Sequence, residues 1–141
     1  MDRIVVGVDG SPSAGAALAW AVHEARAHGS TVEAWHAWHV TYPLQGPPPD
    51  EHAAEVAARA VLDSAVDAVD AEGVPLRRVL VRAIAASALL DASRHAGLLV
   101  LGTGSVRGVR LGQVAAQVVA HAHCATVVVP AWQQARSGLT A

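Results

Sequence analysis

Glycines at positions 102, 104, 108 and 112 stand between the apolar run Leu98–Leu101 and an alanine- and valine-rich stretch that opens at Gln113. This pattern suits the capture of an anion. A strand delivers the chain to the loop, glycines let backbone N–H groups turn inward close to a ligand, and the first turn of the following helix adds its partial positive charge. Phosphate is the anion such a cradle takes most readily. Arg107 and Arg110 lie inside the loop, where a guanidinium can grip phosphate oxygens in pairs.

Other chemistries are poorly supplied. The ten cationic side chains are all arginine, so neither a P-loop lysine nor a lysine Schiff base is available. No Gly-x-Ser-x-Gly elbow occurs, and Ser11 after Gly10 has no histidine close to it in sequence. No catalytic residue is therefore assigned. Cys124 has no Cys-x-x-Cys partner. Of the eight histidines, His36 and His39 straddle the end of a predicted strand, and His121, His123 and Cys124 gather at a helix end. Zinc needs three or four convergent ligands, which neither group offers locally, so no metal site is expected. His121 and His123 suit the negative end of the preceding helix, and Cys124 reads as a small buried hydrophobe.

A cradle needs a frame, and the chain alternates strand and helix throughout. Residues 4–8 are a β-branched run closed by Asp9-Gly10-Ser11-Pro12, in which Ser11 suits a helix N-cap and Pro12 the first helical position. Leu18, Ala21, Val22 and Ala25 give that helix an apolar stripe, and Gly29 ends it. Thr31–Trp38 reads as a second strand with Val32, Ala34, His36 and Trp38 on one face; residues 39–49, rich in proline, form a connection. Asp50 caps a predicted helix carrying Val56, Leu62, Ala65, Val66 and Val69, ended by Gly73 and Pro75. Leu76–Arg82 is predicted to be a strand at a sheet edge, because Arg77, Arg78 and Arg82 discourage further pairing. A short helix over 86–95, the run into Gly102, a helix to about Ala122 and a last strand over 126–129 complete the pattern.

This alternation implies an α/β fold, a parallel five-stranded sheet with helices on both faces, in one domain over residues 1–131 followed by a short tail, 132–141. Ligands in such sheets sit beyond the carboxyl ends of the strands, where strand order reverses. If strands one and four are neighbours, the loops after Val8 and Leu101 flank one crevice. With 141 residues, 52% hydrophobic and 16% charged, the chain can build one ordered core. A net charge of -2 with scattered arginines provides no track for nucleic acid. The longest apolar stretches fall short of the roughly 18 residues that suggest a membrane span. A single cysteine and the lack of a leader-like opening point to the cytoplasm. Trp20, Trp35, Trp38 and Trp132 could stack on bases, but the first three fall in predicted helix and strand, where packing explains them.

Three segments resemble the universal stress protein family in their order and spacing, over nearly the whole chain. They are Ile-Val-Val-Gly-Val-Asp-Gly-Ser from Ile4 to Ser11, Leu-Leu-Val-Leu-Gly from Leu98 to Gly102, and Leu-Gly-Gln-Val followed by His-Ala-His-Cys-Ala-Thr-Val-Val-Val-Pro up to Pro130. The resemblance implies a flavodoxin-like sheet of order 3-2-1-4-5, and homodimers paired through the last strand, here Thr126, Val127, Val128 and Val129. Some members bind ATP through Gly-x2-Gly-x9-Gly followed by Ser or Thr. Gly102 matches the first glycine, the second position falls on Ser105 beside Gly104, and Gly112 best matches the third, ten positions on where the motif has thirteen. Gln113 replaces the hydroxyl residue, and it donates from a longer, more mobile side chain. By the same resemblance Asp9 touches adenine or ribose, and the backbone around His36 and Ala37 lines the adenine pocket. The expected nucleotide contacts are Val8, Asp9, Gly10, Ser11, His36, Ala37, Gly102, Gly104, Ser105, Arg107, Gly108, Gly112, Gln113 and Val114. The function implied is regulatory rather than enzymatic: binding of an adenine nucleotide, ATP with or without Mg, with slow hydrolysis conceivable. The alternative is a nucleotide-free homodimeric interaction module.

Overall fold

The computed structural model of the protein describes residues 2–104 and 111–131. In chain order the elements are β1 (Arg3–Gly7), α1 (Pro12–His28), β2 (Thr31–Trp38), α2 (Glu51–Asp67), β3 (Leu76–Arg82), α3 (Ala85–Ser93), β4 (Leu98–Gly102), α4 (Gln113–His121) and β5 (Ala125–Val129). All strand pairs are parallel, and the sheet order is β3-β2-β1-β4-β5. β1 and β4 are therefore neighbours, and the argininyl strand β3 is an edge.

Burial explains the order. Ile4, Val5 and Val6 in β1 and Leu98, Leu99, Val100 and Leu101 in β4 are all buried, as central parallel strands covered on both faces require. One core, under α1 and α2, joins Ile4, Val6, Leu18, Val22, Val32, Leu62 and Val100. The other, under α3 and α4, joins Val5, Leu89, Leu99, Leu101 and Val118. Trp20 packs against the first core and Trp35 against the second, so both serve packing. Among the described residues no helix is long and apolar enough to cross a membrane.

The caps follow the sequence closely. Ser11 Oγ accepts from the Ala14 N–H at 3.2 Å, Asp50 Oδ1 accepts from the Ala53 N–H at 3.0 Å, and Gly29 closes α1 with φ 67°. Several boundaries differ, β5 for instance beginning at Ala125. α2 ends at Asp67, not near Gly73, because Asp70 Oδ1 accepts from the Glu72 N–H and draws the backbone into a turn. Asp63 and Asp67 are instead bound by Arg78 of β3, at 2.6 and 2.8 Å. Only Ala58, Leu62 and Val66 of α2 are buried; Val56 is exposed and Val69 lies beyond the helix. α3 runs from Ala85 to Ser93, since Arg94 and His95 bond three residues back and tighten the last turn. β1 stops at Gly7, one residue short of Val8.

The proline-rich connection is anchored to the sheet edge. Glu51 accepts from Tyr42 and from Arg82, whose Nη2 lies 2.7 Å away, and the Arg82 guanidinium sits 5.3 Å from the centre of the Trp38 ring. Arg82 first, then Tyr42, holds the Glu51 carboxyl below its ordinary range. A lowered folded-state value makes this tie present above the unfolded carboxyl value and lost as pH falls through the folded one. As pH falls below the ordinary carboxylate range the connection should therefore detach from β3, moving the Trp38 indole resonance; Arg82→Gln should abolish that step.

Candidate functional site

The adjacency of β1 and β4 sets the β1–α1 and β4–α4 loops side by side at the carboxyl end of the sheet. Between them and the end of β2 lies a cavity of about 210 Å³. Trp35, Ala85, Ala88, Leu89, Leu101 and Ala115 form its apolar walls, and Asp9, Ser11, His36 and Gln113 stand around it with the backbone of Gly102, Gly104 and Gly112.

The floor depends on a close approach. A Cβ on Gly102 would lie 2.5 Å from the carbonyl carbon of Ser13 and 2.7 Å from the Ala14 nitrogen, so β4 meets the first turn of α1 only through glycine. Ser13 is buried there, its Oγ accepting from the Gly104 N–H at 3.1 Å and pairing with Ser11 Oγ at 3.2 Å. Gly104, at φ +71°, reverses the chain, and the Gly112 N–H donates to the Thr103 carbonyl. The two ends of the glycine loop are thus clasped. A Cβ on Gly112 would meet the Thr103 oxygen at 3.1 Å and Gly104 at 3.3 Å.

The clasp aims α4 at the cavity. Gly112 is its N-cap, with no side-chain cap bond, and the Ala116 N–H bonds back to the Gly112 carbonyl. The N–H groups of Gln113, Val114 and Ala115 precede that bond, and all three residues line the cavity. This end carries the partial positive charge of a helix start. At the other end the exposed Asp9 carboxylate accepts from the Ser11 N–H at 2.9 Å, while His36 Nδ1 lies 2.6 Å from the Val8 carbonyl oxygen.

Val8, Asp9, Ser11, His36, Ala37, Gly102, Gly104, Gly112, Gln113 and Val114 all stand around this cavity. Gly10 does not. Its φ of +83° makes the turn, and it faces a separate hollow between α1 and α2, where a Cβ would meet Val61 at 3.2 Å. Ser105, Arg107, Gly108, Arg110 and Trp132 lie outside the described residues. Sequence reasoning missed Ser13 and the apolar walls from α3. A second serine two residues after an N-cap serine was the available signal for Ser13; nothing local announces Ala85, Ala88 and Leu89. Cys124 is half-buried rather than buried, its thiol pushed up by burial. The His123 N–H donates to Ser93 Oγ at 3.0 Å, and among the described residues no three His, Cys, Asp or Glu side chains converge to hold a metal.

A sequence profile described as the universal stress protein family matches residues 1–130. The chain belongs to the universal stress protein family. It is 32% identical over 141 residues to universal stress protein Rv2623 of Mycobacterium tuberculosis (strain ATCC 25618 / H37Rv), covering 89% of this chain and 46% of that protein. The chain thus spans about half the length of the curated relatives it matches. The universal stress protein from Archaeoglobus fulgidus in complex with dAMP is 27% identical, with a TM-score of 0.70, over 92% of this chain and 98% of that one. Another universal stress protein, solved in complex with cAMP, shares the fold at 24% identity and a TM-score of 0.70, over 92% and 97% of the two chains.

Within this universal stress protein fold Gly102 is a packing requirement. Gly102→Ala should destabilise the domain by about 1–3 kcal/mol, read from urea unfolding midpoints, since the new methyl overpacks against backbone that cannot swing aside.

Proposed function

We propose that this universal stress protein is a small regulatory protein that binds an adenine nucleotide in the crevice between the β1–α1 and β4–α4 loops. One observation carries the reading: the cavity combines apolar walls with the uncapped first turn of α4. A purine is flat and largely apolar on its faces and a phosphate is anionic, so the apolar walls suit the first and the helix start suits the second. The dAMP and cAMP held by relatives of the same fold support this. Asp9 is the one carboxylate among the described residues around the cavity, so magnesium would enter on the phosphates of ATP rather than in a protein cage. Ser11 and Ser13 are engaged with each other and with backbone, an arrangement for holding a loop rather than for nucleophilic attack.

The regulatory output would pass through dimerisation on β5. That strand ends the sheet order, and Thr126, Val127 and Val128 are only partly covered along an unpaired edge. A second copy pairing there would close both edges, and α4 joins that edge to the cavity. Such a protein would act in the cytoplasm. One observation favours a nucleotide-free interaction module instead: the Gly104 and Gly112 N–H groups are already engaged, by Ser13 Oγ of α1 and by the Thr103 carbonyl.

Melting decides between them. ATP with magnesium, ADP or AMP at about a hundred times its dissociation constant should add about 2.7 kcal/mol of stability, and Gly112→Leu should abolish the shift. No shift at millimolar nucleotide leaves the interaction module. Val127→Lys should convert the dimer to monomer by sedimentation velocity; an unchanged sedimentation coefficient would place any dimer elsewhere.

A further inference from the structure

His36 replaces a rung of the sheet. Along β2 the Thr31 N–H and the Trp35 carbonyl bond toward β1, to Asp2 and Val8, whereas the Val32 N–H and the Trp38 carbonyl bond toward β3, to Pro75 and Ala83. Odd-numbered residues of β2 therefore present their backbone groups to β1. Gly7 stands opposite Trp35, and the Val8 N–H donates to the Trp35 carbonyl at 2.8 Å. The next rung of a parallel ladder would run from the Ala37 N–H to the Val8 carbonyl. It is not made: β1 ends at Gly7, and His36 Nδ1 occupies that carbonyl at 2.6 Å. A carbonyl only accepts, so Nδ1 is the protonated nitrogen and donates. Val8, His36 and Ala37 all line the cavity.

We propose that His36 is a positioning residue: its side-chain N–H satisfies the Val8 carbonyl in place of the strand, and the Ala37 backbone N–H is thereby kept as a donor for an unprotonated ring nitrogen of a purine ligand. The ligand half of this proposal rests on the nucleotide reading; the state of the Ala37 amide does not. Without the imidazole, the Val8 carbonyl and the Ala37 N–H would satisfy one another, β1 would extend by one rung, and the donor would be lost to the site. His36→Leu removes the donor. His36→Asn places a carboxamide N–H where Nδ1 stands and should preserve the arrangement.

The test is amide hydrogen exchange by NMR on the full chain, together with AMP titration by calorimetry. In the free wild-type protein the Ala37 amide should exchange much faster than the Trp35 amide, and AMP should slow it. His36→Leu should slow Ala37 exchange without ligand and weaken AMP binding about tenfold, the loss of one site hydrogen bond, while His36→Asn stays within about threefold of wild type. An Ala37 amide as protected as Trp35 in the free wild type overturns the proposal, and that measurement needs no variant. So does a His36→Leu protein that binds AMP like wild type. If wild type binds no AMP at millimolar concentration, the nucleotide reading fails and with it the ligand half, while Ala37 exchange in wild type and His36→Leu still decides the role of His36.

Discussion

The close approach of β4 to the first turn of α1 is the constraint on which the rest of the site depends. Glycine at 102 lets two backbones come within a distance that any side chain would forbid, and Ser13, buried in that contact, then reaches the Gly104 N–H. From this one contact follow the clasp of Gly104 against Gly112, the starting point of α4, and the direction of its free N–H groups. The cavity is what remains between elements drawn together there, and part of its apolar wall comes from α3, a helix with no sequence feature that advertises a site.

The opposite end of the cavity is made by a ladder that stops early. β-branched residues run through Val8, and propensity alone would carry β1 that far. The strand yields because a side chain from its neighbour offers the Val8 carbonyl a better-placed donor, so satisfaction of one backbone acceptor sets where strand becomes site. A similar local competition ends α2. Asp70 offers its carboxylate to the Glu72 N–H, and the helix gives way well before the glycine and proline beyond it.

Edges divide the molecule by purpose. β3 is guarded by Arg77, Arg78 and Arg82, with Arg78 and Arg82 tied back to acidic residues of α2, so that edge is closed by charge and by the anchored connection. β5 carries no such guard among its described residues, and its valines lie on the side from which α4 reaches back to the cavity.

Local physics in the sequence was enough for the class of fold, the capping residues and the edge character of β3, while the resemblance of three motifs carried the kinship. Alternation of apolar runs with helical stripes admits few other arrangements, and Ser11, Asp50 and Gly29 act within their own turn. Asp9, His36, Ala37, Gly102 and Gly112 were identified as site residues through kinship, and all five stand around one cavity. Tertiary structure decided what distance in space alone can decide. It separated Gly10 from the other expected contacts, because a turn glycine can face either side of its loop. It brought in Ser13, Trp35 and α3, whose roles arise from neighbours far off in sequence. It also showed that Gly102 is required by a backbone contact and that His36 holds a carbonyl, since a residue's type states what it can bond while only the fold states which partner stands within reach.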